Sequence, residues 1–577
     1  MKPASNTLNH LLDQLDELRG RLDPRESLSL EQILSRISRV KINDAESLIR
    51  LHEILLFLSA YPTNARVRGL AESLLKGFSR RIKTLRASEV DLDSLEHPEV
   101  SGIAGLSVTD TFSFFIVRWL AQSHPSEVNL YWDWFEDESR LAESWPRFMP
   151  LLEEDAAVEA NVPYQTWLRL AHPGAKKDLP WLIRQFDSLN KTEKEKAEVY
   201  DSQQLYVRWT PAVSATRTGM RLPVRKIFYH REPLIRRRDV SLRAELEKLS
   251  PPLQLLSPKQ GEAILDMARE ASTVRYRELY GFTHGDAKRV FKTNIGRGVD
   301  IFLTGLPAEW RLPLRAYHAA MIFKNGVPVG YFEGLSLFER MESGFNLYYT
   351  FRDGETAWLY ARVLNIFRHL LGVTVFVLDP YQIGHENEEG IESGAFWFYR
   401  KLGFRSTSRD VMKLVSAEED KIAARSAYRT SAKRLRKLVE GSMIFGLGKT
   451  PDKSKPGEWD RFQVRNIGLA VQRRMAAKHG GDADRFRAEA VKELTHVLGI
   501  RTYDWREAEL PALSDFAVML SLLEDLSEWR DVEKRALVRV IRAKATSNES
   551  SYLKLMQKHS RLRSAMISLG SLSAVKE

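Results

Sequence analysis

The segment Ala395-Phe-Trp-Phe-Tyr-Arg-Lys-Leu-Gly-Phe404 sets a phenol beside an apolar helical stripe. Ile391, Ala395, Phe398 and Leu402 fall on one face at helical spacing, with Tyr399 at its border. A buried tyrosine joins an apolar body to a hydroxyl that needs a partner. Gly403 is positioned to end the helix in a left-handed conformation, and Phe404 to enter the next strand. Ahead of this helix, the loop from Asp379 to Gly390 concentrates Glu386, Glu388 and Glu389 behind an apolar strand. Loops at strand carboxyl ends carry the sites of α/β proteins, and an acidic one suits a cationic or amine-bearing substrate. His385 has no second histidine at helical spacing, so no metal site is expected there.

Other chemistries are excluded or weakened by the same sequence. It contains no cysteine, which removes disulfides, thiolate metal sites and cysteine nucleophiles. Gly446-Leu-Gly-Lys-Thr450 is not a phosphate loop, because Met443 stands where a glycine is required and Pro451 where a helix should begin. No Gly-x-Ser-x-Gly elbow occurs. The formal charge of +11 comes from 87 basic and 76 acidic residues, which favours polyanionic partners without specifying one. Two basic tracts stand out. Eight arginines and lysines lie between Arg217 and Arg238, with Phe228, Tyr229 and His230 among them. They suit either phosphates and stacked bases or, as we favour, an interface between domains. Lys421, Arg425, Arg429, Lys433 and Lys437 recur every fourth residue, which predicts five charges on one helical face.

These residues need elements to hold them. Over 577 residues more than one core is expected. The first 250 residues read as helices, with leucine stripes such as Leu8, Leu11, Leu12, Leu15 and Leu48, Leu51, Ile54, Leu55. Three prolines between Leu249 and Pro258 suit a connection. Asn325-Gly326 predicts a type I′ hairpin between strands at 314–323 and 327–337. A strand follows over 343–351, then a helix over 356–371 burying Leu359, Val363, Ile366, Phe367 and Leu370, closed by Gly372. The apolar run 373–378 predicts a strand covered on both faces, and a helix is expected over 391–402. Beyond Val415 helices return, interrupted by the polar stretch Lys449 to Gly457. The predicted organisation is a helical domain over 1–250, a domain with a mixed central sheet over 251–415 and a helical domain over 416–577.

Glu392-Ser-Gly-Ala395-Phe-Trp-Phe-Tyr399-Arg-Lys-Leu-Gly403-Phe404 resembles the second signature of the GNAT superfamily of acyl-CoA-dependent N-acyltransferases. That signature is Asn-x-x-Ala-x-x-x-Tyr on a helix after the fifth strand, ending in Gly-Phe. Glu392 departs from it, standing where the family commonly has Asn. The resemblance spans residues 257 to 415 and includes the hairpin, strand, helix and strand in the family's order. It implies an α/β (α+β) fold whose fourth and fifth strands splay to admit the pantetheine arm of an acyl-CoA co-substrate. It also implies that Tyr399 protonates the departing thiolate. The family's first signature, Gln/Arg-x-x-Gly-x-Gly/Ala, seats the CoA pyrophosphate on a helix start, where unpaired amides and the dipole favour anions. Arg352, Asp353, Gly354, Glu355, Thr356 and Ala357 correspond to it, with the glycine one slot early and Glu355 in its place. An acyl transfer to an amine also calls for a base, for which Glu342 is the candidate, with Glu333 and Asp379 as others.

The expected function is therefore acyl-CoA-dependent N-acyl transfer to an amine acceptor, with acetyl-CoA or another acyl-CoA as co-substrate and no metal. A catalytically silent scaffold of the same fold is one alternative, and a transferase acting on an RNA-linked, aminoacyl-tRNA-type substrate through the basic tracts is another. The longest apolar runs are too short to cross a bilayer, and the amino terminus carries no apolar stretch with a cleavage site. A cytoplasmic protein is expected.

Overall fold

The Asn325-Gly326 turn organises the largest sheet. Both residues adopt positive φ, 50° and 82°, as a type I′ turn requires. The computed structural model describes residues 3–21, 24–88, 91–95, 97–98, 100–135, 139–148, 162–173, 177–425, 427–448 and 457–571. Three short strands, β1 (Val108–Asp110), β2 (Val128–Leu130) and β3 (Val207–Trp209), form an antiparallel sheet in the order β1-β3-β2. Nine more form the mixed central sheet. They are β4 (Gln254–Leu255), β5 (Phe291–Gly296), β6 (Val299–Thr304), β7 (Ala316–Lys324), β8 (Val327–Leu337), β9 (Arg340–Leu347), β10 (Val375–Leu378), β11 (Arg405–Ser406) and β12 (Met443–Gly446). Their order is β11-β12-β10-β9-β8-β7-β6-β5-β4, and only β9 and β10 run parallel.

Every residue of β6 and β7 is buried, so the sheet is covered on both faces. The Ala45–Ala60 helix packs on β8, and the Glu549–Gln557 helix packs on β7 and β8. Between β9 and β10 the chain crosses over through the Thr356–Leu371 helix, which has the expected bounds and ends at Gly372 with φ 76°. Its apolar face rests on the sheet and on the Glu549–Gln557 helix, where Gln557 Nε2 donates to the Leu371 carbonyl at 2.8 Å.

Packing cuts across the boundaries expected at 250 and 415. Leu8 to Leu106, the sheet, and Leu435 to Ile567 share one continuous apolar core. A second core, from Val108 to Ala215, surrounds the small sheet. The amphipathic stripes revealed the helices, but a stripe does not name the surface it meets. The flanking segments are also not wholly helical. The small sheet lies within the first 250 residues and β12 lies beyond Val415. Strands of three or four residues carry too few alternations to be legible.

Two helical expectations are corrected. The five-charge stripe is not one face, because the Arg409–Ala424 helix stops with Arg425 extended at φ −140° and Ala432–Leu438 follows separately. The chain turns back there around buried Glu418, which accepts from Lys421 Nζ and the Tyr428 hydroxyl, each at 2.7 Å. The helix expected over 391–402 is instead two short ones, Glu388–Glu392 and Ala395–Arg400, broken at Gly394 with φ 66°. The interruption expected over 449–457 lies outside the described residues except for Gly457. Among the described residues, no helix is long and apolar enough to cross a membrane.

Candidate active site

The pairing of β9 with β10 stops early. Val375, Phe376 and Val377 lie opposite Arg340, Met341 and Glu342, and no pair follows. β9 runs on to Leu347, while β10 ends at Leu378 and turns into the short Pro380–Ile383 helix. Asp379 caps that helix by accepting from the Tyr381 amide at 2.9 Å, and Pro380 brings no amide to extend the ladder. The strands therefore part beyond Glu342. A cavity of about 520 Å³ opens in the gap, bounded by Phe345, Asn346 and Leu347 of β9 and by Tyr381 and Gln382 after β10.

The Ala395–Arg400 helix forms another wall. The break at Gly394 turns the helix, so Phe396 and Tyr399 are buried, while Ala395 and Phe398 are only partly covered and line the cavity. Tyr399 also lines it. The Tyr399 ring sits edge-on to Tyr360 at 5.5 Å and to Phe404 at 5.8 Å. Gly403, at φ 101°, lets the Phe404 amide return to the Tyr399 carbonyl at 3.2 Å. Among the described residues the Tyr399 hydroxyl has no hydrogen-bond partner, and burial pushes the phenol well above its ordinary range. The phenol is therefore neutral at physiological pH. Behind it, the Tyr360 hydroxyl is fixed against Ser343 Oγ at 3.0 Å.

The six residues from Arg352 to Ala357 divide. Arg352 and Thr356 line the cavity. Asp353 is exposed and reaches Arg19 at 3.4 Å. Gly354 lies against Tyr61, whose hydroxyl would stand 2.5 Å from any added Cβ, so the glycine permits the end of the Ala45–Ala60 helix to approach. Ala357 is buried. Glu355 is fully buried and turned inward, away from the cavity. Its carboxylate meets Arg297 at 2.5 Å and Lys324 at 3.3 Å and accepts from the Ile235 amide at 3.2 Å. The repulsion a carboxylate would exert on a phosphate at this helix start is thus neutralised within the fold.

The candidate bases fall elsewhere. Glu342 does not border the cavity and is held by Arg315 at 2.6 Å and Arg340 at 2.9 Å. Glu333 is bonded to the Tyr317 hydroxyl, and burial raises its carboxyl. Asp379 is occupied as a cap. The carboxylate at the cavity is Glu389, ion-paired with Arg352 and 3.8 Å from Arg277. Sequence reasoning missed Arg277, Tyr331 and Asn346, which also border it. Their signals are single residues on separate elements, joined only when β8, β9 and the chain after the Pro258–Thr273 helix meet. Among the described residues no group of acids and histidines could hold a metal.

The basic tract before the sheet is partly interior. Arg217 is buried and donates to Glu53 at 2.9 Å. The Leu222 amide donates to the Gly326 carbonyl at 2.8 Å, and Asn325 bonds Phe228 and the Ala60 carbonyl. The tract therefore wraps the hairpin tip, while Arg225, Lys226, Arg231 and Arg238 remain exposed. Searches of family models, curated proteins and solved structures returned no match to this chain.

Proposed function

We propose that the cavity between β9 and β10 is the active site of a GNAT-type, acyl-CoA-dependent N-acyltransferase. The single observation that carries this reading is the parting of two parallel strands beside a tyrosine that lines the gap and whose hydroxyl has no hydrogen-bond partner among the described residues. The gap suits the narrow pantetheine arm, whose amides can pair with the exposed edge of β9 beyond Ser343. Arg352, which gives Nη2 to Glu389 and among the described residues keeps Nη1, suits the pyrophosphate together with the first-turn amides at Thr356. Glu355, the residue least compatible with that ligand in the sequence, is spent on Lys324 and Arg297.

In the proposed reaction the acceptor's neutral amine attacks the thioester carbonyl carbon. A C–N bond forms and the C–S bond breaks, its electron pair leaving on sulfur. Tyr399 gives that sulfur its proton, and the proton lost by nitrogen restores the phenol through water. The amine reaches the site neutral by exchange with solvent, since no described carboxylate both lines the cavity and is free of an ion pair. Replacement of Tyr399 by Phe keeps the packing and removes the proton. Thiol release under single-turnover conditions should then slow by about 10²-fold while acetyl-CoA still binds. Unchanged release in Tyr399→Phe would remove this residue from the mechanism.

A further inference from the structure

Resting on the acyl-transfer reading, we infer that the acceptor is a small amine bearing a carboxylate, recognised by Arg277. Arg277 follows the Pro258–Thr273 helix and lines the cavity together with the Ala395–Arg400 helix. Its Nη1 donates to the Tyr331 hydroxyl at 3.3 Å, and Asn346 Nδ2 donates to the same hydroxyl at 3.3 Å. The guanidinium is therefore fixed in orientation. The nearest carboxylate, Glu389, stands 3.8 Å away, beyond hydrogen-bond distance, and is taken by Arg352. Among the described residues the remaining donors of Arg277 have no hydrogen-bond partner.

The surroundings are rich in guanidinium groups. Arg275, stacked 3.7 Å from the Tyr348 ring centroid, feels both Arg277 and Arg217. Among the described residues Arg217 pairs with Glu53 and Arg352 with Glu389, and Arg275 feels Glu53 as well. Glu333, close to Tyr331, is tied to Tyr317, and burial favours its neutral form. A planar fork with free donors at the cavity wall matches a carboxylate in two-point contact. A cavity of about 520 Å³ accommodates the acceptor's acid and amine beside the thioester end of the donor. Arg277 would then set specificity by holding the acceptor's acid, leaving the amine to reach toward Tyr399.

Binding tests this without relying on turnover. The full-length protein, with and without CoA, is titrated with the N-acetyl derivatives of the common amino acids and with their carboxamides. At least one free acid should bind 10-fold or more tightly than its amide. Arg277→Gln should erase that preference and leave the dissociation constant for CoA within twofold. Arg277→Lys, which keeps the charge and loses the fork, should fold and retain a preference reduced several-fold. Equal binding of acids and amides, or no binding of any acid, would overturn the inference. So would an Arg277→Gln protein that keeps the preference, or one that instead loses affinity for CoA, which would assign this pole to the donor's phosphates. CoA binding without acid preference sinks this inference alone. Acid preference without CoA binding sinks acyl transfer and leaves the carboxylate site standing.

Discussion

Lys324 and Glu355 meet at 3.3 Å with both side chains shut off from solvent, the lysine at the tip of β7 and the glutamate at the start of the Thr356–Leu371 helix. Arg297 completes the pair from the neighbouring turn, and Tyr61 and Phe228 close over the ammonium at 4.7 and 5.2 Å. This contact locks the helix start that faces the cavity to the hairpin tip and to the amino-terminal helices. Removing one partner leaves buried charge unpaired, which typically costs about 3–5 kcal/mol. Glu355→Gln should lower stability by about that amount in urea unfolding. A loss under about 1 kcal/mol would mean the carboxylate is not the anchor described here.

The same pair sets a pH dependence. Burial, opposed by Glu355 and assisted by Arg297, pushes the Lys324 ammonium down to about 8 from its ordinary 10.5. Between those values the unfolded chain holds a proton that the folded chain has released. Stability therefore rises with pH across about 8 to 10.5, and the cost of the buried charge is felt below that window. The stability difference between the wild type and Lys324→Met, measured by urea unfolding at pH 7 and at pH 10, should move in favour of the wild type by on the order of 2–3 kcal/mol. A difference that stays flat would place the ammonium in water.

Two glycines separate conformational cost from steric cost. Gly394 has φ 66° with open space around an added Cβ, whereas at Gly326, φ 82°, a Cβ would lie 2.3 Å from the Leu222 carbonyl oxygen. Gly394→Ala should cost about 1 kcal/mol. Gly326→Ala should cost about 3 kcal/mol or more, because backbone must move and the hairpin tip is a joint. Equal losses in thermal unfolding would contradict the packing described at the tip.

Much of this was readable in advance, and the failures share a cause. The hairpin, the Thr356–Leu371 helix and the Gly403-Phe404 ending follow from local rules: turn chemistry, a 3.6-residue period and a left-handed glycine. Tyr399 was singled out because its helix carries a recognisable string. Glu355 looked obstructive because a linear pattern does not reveal where a side chain turns, and its partners Lys324 and Arg297 are 31 and 58 residues away in the chain. Glu342 looked available because its two arginine partners could not be known. Arg277 went unnoticed because nothing local distinguishes it. Fold and site chemistry thus part at the residues whose meaning depends on long-range contacts.

Glu342 offers a direct contrast with Tyr399. Held by Arg315 and Arg340 away from the cavity, it should tolerate replacement by Gln with thiol release unchanged within about twofold. Tyr399→Phe should fall by about 10²-fold in the same assay. A loss above 10-fold in Glu342→Gln would restore it as a base.

The central claim, that the parted strands receive an acyl-CoA, is tested most directly by titrating the full-length protein with acetyl-CoA in a calorimeter. The account predicts saturable binding at one site per chain with a micromolar dissociation constant, about 8 kcal/mol, weakened at least 10-fold by Arg352→Ala. Absence of binding by acetyl-CoA and by longer acyl-CoAs would contradict it.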